Sequence, residues 1–171
     1  MTSQDSQTQT LVPVPLTTEA FAPFGDIIET RGNDSFLINN GNCARYHDLS
    51  RPDIDASGSV GINIFEGQHY PYPITLRLLE RHPLGSQAFI PMSDQPYLVV
   101  VAEDDNGKPA QPLVFITDGK QGVNYFRNTW HGVLTPIHQP ALFSVVDYIG
   151  DKNNLEEYDL PKPYTIVQTS V

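Results

Sequence analysis

Glu80, Arg81, His82 and Gln87 break an otherwise apolar stretch, LERHPLGSQAFIPM, over residues 79–92. A buried strand does not favour four such side chains, whereas a binding cavity does. Residues two apart in a strand share a face, so Glu80 and His82 can look into one cavity. The PLG that follows can turn the chain and return Gln87 on the next strand. A second cluster, NYFRNTWHG, sets Arg127 and His131 on either side of a turn expected at Asn128. Imidazoles titrate near ~6.5 and guanidinium groups bind carboxylates in pairs of hydrogen bonds. Two segments that each carry a histidine and an arginine therefore suit proton transfer on a small organic acid. A one-residue slip would exchange Arg81 for His82 on the cavity face.

Each residue also has a plainer reading. Glu80 could face water, His82 could end a strand before Pro83, and Arg127 could belong to a turn. Trp130 reads as core. His47, His69 and His138 read as surface or loop residues, and nothing near Cys43 supports a nucleophile. Recurrence favours the site: the chain has ten Lys and Arg residues against twenty Asp and Glu, a formal net charge of −10. That balance argues against nucleic acid as a partner. One cysteine rules out an intrachain disulfide and a cysteine-based zinc site, and fits a reducing, cytoplasmic setting. No apolar run approaches the roughly 20 residues of a membrane helix.

The elements that must position these groups read as β. Fifteen prolines and twelve glycines punctuate short apolar runs in 171 residues. A helical turn is expected near Thr17 or Thr18, stopped by Pro23 and Gly25. SVGINIFEG alternates, with Val60, Ile62 and Ile64 on one face and Asn63 and Phe65 on the other. SQAFIPM sets Gln87 and Phe89 against Ala88 and Ile90. YLVVVA and LVFIT read as fully buried strands. Eight to ten short strands imply a sandwich or a closed barrel. Residues 1–10 read as a disordered polar tail. Residues 11–171 read as one domain, with a peripheral acidic, Pro-rich arm from about Asp151.

Glu80-x-His82-x4-Gln87 resembles the first motif of the cupins, His-x-His followed by Glu. FRNTWH resembles their second motif, Pro-x-Gly-x-x-His, with Phe126 and Asn128 in the Pro and Gly places and His131 on the histidine. A longer text is more specific. FGDIIET, INNGNCARYHDL, LERHPLGSQAFIPM, FITDGKQGVNYFRNTWH and VVDYIG together resemble the ureidoglycolate lyase family, formerly called ureidoglycolate hydrolase, from about residue 11 to about residue 150. Similar sequences often carry histidine where this chain has Phe126 and Gly132, which leaves His131 as the one imidazole of its segment.

The resemblance implies an all-β, cupin-like double-stranded β-helix (a jelly-roll barrel) with short peripheral helices. It implies a carbon–nitrogen lyase of the amidine-lyase type, splitting (S)-ureidoglycolate into glyoxylate and urea in allantoin breakdown, and a homodimer. In that reaction His82, His131 and Glu80 are the expected proton movers. Arg81 and Arg127 are the expected carboxylate clamps, and Gln87 and Asn63 could bond the urea amide. Tyr125 either packs or bonds substrate. A metal is either not required or a weakly bound divalent ion, with nickel a candidate, held by His82, His131, Glu80 and Gln87. Two other readings stay open: a metal-dependent cupin enzyme on another small hydroxy or keto acid, and a non-catalytic module binding a small anion. YLVVVA is the expected segment to pair or pack between two copies.

Overall fold

The computed structural model describes residues 9–168. Most of the tail expected over 1–10 lies outside them, but Gln9 and Thr10 already belong to a strand. The chain begins with β1 (Gln9–Leu11) and β2 (Val14–Pro15), then α1 (Thr18–Phe21) and β3 (Gly25–Ile28). Thr17 caps α1, its side-chain oxygen accepting from the Ala20 amide at 3.3 Å. A hairpin of β4 (Ser35–Ile38) and β5 (Cys43–Tyr46) follows. Then come β6 (Ser59–Glu66), β7 (Ile74–Arg81), β8 (Gln87–Pro91) and β9 (Tyr97–Ala102). A small ribbon, β10 (Asp104–Asp105) and β11 (Lys108–Pro109), leads to β12 (Leu113–Ile116) and β13 (Gly122–Tyr125). The chain ends with β14 (Trp130–His131), β15 (Thr135–Pro136), β16 (Leu142–Ile149) and β17 (Glu156–Ile166).

Two sheets carry the architecture. The larger runs β1-β17-β7-β14-β9-β12-β2, with β15 also on β9. The smaller runs β3-β13-β8-β16-β6. They curl into a cupin-like β fold with one small helix. Between them lies a core of Phe21, Phe89, Val99, Val101, Phe115, Val123, Phe143 and Val145. A second apolar cluster covers the outer side of the larger sheet, built from Leu76, Leu79, Leu98, Val100, Trp130 and Ile166. Tyr158, Leu160 and Tyr164 of β17 pack onto it.

Strand β9 explains its own sequence. Tyr97, Val99 and Val101 enter the inner core while Leu98, Val100 and Ala102 enter the outer one, so every residue is buried. Its edges are taken by β12 on one side and by β14 and β15 on the other. YLVVVA therefore has no free face or edge for a second copy, contrary to expectation. The segment after Asp151 also differs from the arm expected of it. Its acidic and proline residues end in an 11-residue strand that pairs β7 on one side and β1 on the other. A register shift between Asp159 and Tyr164 takes up Pro161 and Pro163, which cannot donate to a regular ladder. Among the described residues no helix is long and apolar enough to cross a membrane.

Leu79, fully buried in the outer cluster, sits one residue before Glu80. Leu79→Ala is expected to cost about 2–5 kcal/mol. Urea denaturation should show this as a lower midpoint at unchanged slope.

Candidate active site

Pairing places the site. His131 of β14 lies opposite Glu80 of β7, and the chain turns between β7 and β8 to set Gln87 beside Tyr125 of β13. Asn128 turns the chain ahead of β14 with φ of 67°, and its amide donates to the His82 carbonyl at 3.1 Å. Two segments about fifty residues apart in sequence are thus joined at their ends. The His82 and His131 rings lie 5.2 Å apart between centroids. Glu80 Oε1 sits 4.0 Å from His82 Nε2 and 3.9 Å from His131 Nδ1. One ligand atom from each of Glu80, His82 and His131 falls within 4.8 Å of the others.

Hydrogen bonds fix both imidazoles. His82 Nδ1–H donates to the Asn154 carbonyl at 2.6 Å, and His131 Nδ1–H donates to the Gly132 carbonyl at 2.9 Å. A carbonyl only accepts, so the proton of each neutral ring sits on Nδ1 and the lone pair on Nε2. Both Nε2 atoms are buried without a partner in the chain. Such orphans are costly unless something else meets them. Tyr125 stacks on His131 at 4.3 Å between centroids, its plane 3° from parallel. Burial, then the neighbouring His82, pushes the His131 pKa down to about 3, against a smaller opposing effect from the Gly132 hydrogen bond. Burial raises the Glu80 carboxyl, only partly offset by His82.

Glu80 and Gln87 line a cavity of about 520 Å³, with Phe65, Glu66, Tyr70, Phe89, Val133 and Leu134 among its other walls. Gln87 Nε2 donates to Asp147 Oδ2 at 3.3 Å, and Asn63 Nδ2 donates to Asp147 Oδ1 at 2.9 Å. Asp147 so fixes which way both amides point and leaves Gln87 Oε1 buried and unpartnered. Such an oxygen is suited to a donor on a ligand. Asp147 escaped the sequence reading, because one carboxylate in LFSVVDYI reads as a solvent-facing residue. Nothing in the sequence around Asn154 marked it as the support of His82.

The two arginines go elsewhere. Arg81 leaves the opposite face of β7, bonds Glu156 at 2.6 Å and Asp104 at 2.9 Å, and lies over the buried Trp130 ring. Arg127 forms a two-pronged pair with Asp53, at 3.0 and 2.6 Å. Neither lines the cavity, and no lining residue is Lys or Arg. The structure brings neither expected clamp to the cavity: Glu80 faces in, so Arg81 faces out on the alternating strand, and Arg127 is held at Asp53.

Comparison with known proteins agrees with the geometry. Residues 8–167 match the family model described as ureidoglycolate lyase. This chain belongs to the ureidoglycolate lyase family. A protein of that name from Chelativorans sp. is 52% identical over 157 residues, covering 91% of this chain and 95% of the relative. One from Brucella anthropi is 56% identical over 153 residues, covering 88% and 89%. One from Rhodobacter capsulatus is 54% identical over 152 residues, covering 89% and 94%.

Below about pH 6.5 an unfolded His131 takes up a proton that the folded, buried ring refuses. The unfolded state then binds more protons, so stability falls as pH drops from about 6.5 toward about 3. The slope for one such group approaches about 1.4 kcal/mol per pH unit. Urea denaturation of metal-free protein at stepped pH should show this dependence, and His131→Gln should flatten it.

Proposed function

We propose that this chain is a ureidoglycolate lyase, splitting (S)-ureidoglycolate into glyoxylate and urea as a carbon–nitrogen lyase of the amidine-lyase type. The observation that carries the reading is the cluster of Glu80, His82 and His131, one ligand atom of each within 4.8 Å of the others and both imidazole Nε2 atoms buried without a partner, beside a cavity that Glu80 and Gln87 line. His82 Nε2 accepts the proton of the substrate hydroxyl. The oxygen's electrons form the aldehyde C=O of glyoxylate as the C–N bond breaks. Its electrons go to the urea nitrogen, which takes a proton from the Glu80 carboxylic acid. Burial favours that acid form, as the raised Glu80 pKa reflects. His82 then returns a proton to Glu80 across the 4.0 Å between them. His131, held neutral, accepts a hydrogen bond beside them. Gln87 Oε1, aimed by Asp147, meets the urea N–H groups, with Asn63 held by the same carboxylate.

The same donor set fits a divalent ion. His82 and His131 would offer Nε2 and Glu80 its carboxylate, each imidazole already braced through Nδ1 as ligating histidines are. When bound, the ion would supply polarisation of a substrate oxygen. Gln87 stands nearby as a neutral, weaker donor. Such an ion is weakly held and optional, with nickel a candidate. The protein works in allantoin breakdown in the cytoplasm, as a homodimer. The lone cysteine, Cys43, supports a reducing compartment.

Purified protein mixed with racemic ureidoglycolate should release glyoxylate well above the spontaneous rate. His82→Ala and Glu80→Gln should each lower kcat about 10²–10⁴-fold. A wild type no faster than the uncatalysed decay, with or without nickel, would remove this reading and favour another small hydroxy acid or simple anion binding. In a second measurement, chelated enzyme should keep its turnover. Calorimetric titration with nickel chloride should show binding that His82→Ala and His131→Ala both abolish.

A further inference from the structure

The proposed substrate is a carboxylate, yet the cavity offers it Glu66 and Glu80 and no cation. Arg81, Arg127 and Arg31 are spent on acidic partners, and Arg51 pairs with Asp48. Arg45 differs. Among the described residues it makes no ion pair and lies only over the Phe36 ring, at 5.9 Å. It stands on the β4–β5 hairpin, opposite Phe36 in the register.

This hairpin is anomalous in a single chain. It pairs with neither large sheet. Six of its eight strand residues are exposed, among them the strongly apolar Leu37 at 68% and Phe36 at 49%. A lone two-stranded ribbon is marginal in water without packing. Residues 35–47 also carry Arg45 and His47 but no Asp or Glu, in a chain of net charge −10.

The same chain carries the complementary surface. Strand β6 is the last of the smaller sheet and pairs only with β16 among the described residues. Its outer face shows Val60, Ile62 and Ile64, with Ile62 75% exposed. Its end supplies Phe65 and Glu66 to the cavity wall. Within one chain the hairpin leaves from β3, at the opposite edge of that sheet. Four strand spacings, about 19 Å, separate β3 from β6.

We propose that the β4–β5 hairpin is an arm that lies along β6 of a second copy and brings Arg45 to that copy's cavity as the carboxylate-binding cation. The arrangement is two-fold: each arm covers the other chain's apolar strand, and each site is completed by its partner. The basic arm meets an acidic rim, so charge and apolar cover agree on one occupant. The inference rests on the functional reading above for the charge of the substrate.

Two variants with different defects test it, one in KM and one in kcat. Arg45→Ala should raise KM for ureidoglycolate at least about 30-fold, with Arg45→Lys between it and wild type. Arg77→Ala should leave KM unchanged; Arg77 is an exposed arginine on β7, also without an ion pair among the described residues. Co-refolding equal amounts of Arg45→Ala and Glu80→Gln, assayed well below the wild-type KM, should restore about a quarter of wild-type activity, because each mixed dimer regains one intact site. Phe36→Glu combined with Leu37→Glu should sediment as a monomer. No restoration on mixing, an unchanged KM in Arg45→Ala, or a raised KM in Arg77→Ala overturns the proposal. Wild type without ureidoglycolate activity sinks the functional reading instead. Sedimentation then decides the arm, and a dimer untouched by the double glutamate variant overturns it.

Discussion

The site depends on burying polar atoms that the chain itself does not satisfy. Two imidazole Nε2 atoms and the Gln87 carbonyl oxygen lie out of water with no partner. An unmet buried acceptor costs on the order of 1–3 kcal/mol, so the surrounding fold must hold each one in place. It does so from behind. The Asn154 and Gly132 carbonyls take the Nδ1 protons, Asp147 takes the Gln87 amide, and Tyr125 closes over the His131 ring. These supports set the tautomers and the amide orientation before any ligand arrives.

The scaffold makes that strain affordable by being stiff on both sides of the wall that carries it. β9 fills two cores at once, and β14 hangs His131 between β9 and β7. The outer cluster beneath Glu80 is closed by β17, and Arg81 is clasped between Glu156 of that strand and Asp104 of the small ribbon. Arg81 is therefore a fastening on the far face of the same strand. Its guanidinium over Trp130 couples the charge pair to the apolar packing.

Much of this was legible in the residues. Alternation placed Gln87 and Phe89 on one face, and Val60, Ile62 and Ile64 on another. The all-apolar run of β9 announced a strand buried twice. The polar breaks at Glu80, His82 and His131 mark three residues that the fold brings together. What stayed hidden depended on long-range pairing. Nothing local says whether Arg81 or His82 turns inward; the pairing of Glu80 with His131 decides it. Asp147 acts through Asn63 and Gln87, which are distant in sequence. β17 was obscured because Pro161 and Pro163 argue against a strand, and only its bulge reconciles them with the ladder.

The grip of Asn154 on His82 has a consequence for how the protein is made. The same residue's Oδ1 accepts from the Leu84 amide at 2.6 Å, so one late residue orders both ends of the turn after β7. A ribosome delivers Glu80 and His82 long before it delivers Asn154 or the strand that follows. The turn that carries His82 has to wait for Asn154 to leave the ribosome before it is ordered, and a protease that clipped the chain shortly before Asn154 would cut the covalent tie between that turn and its support.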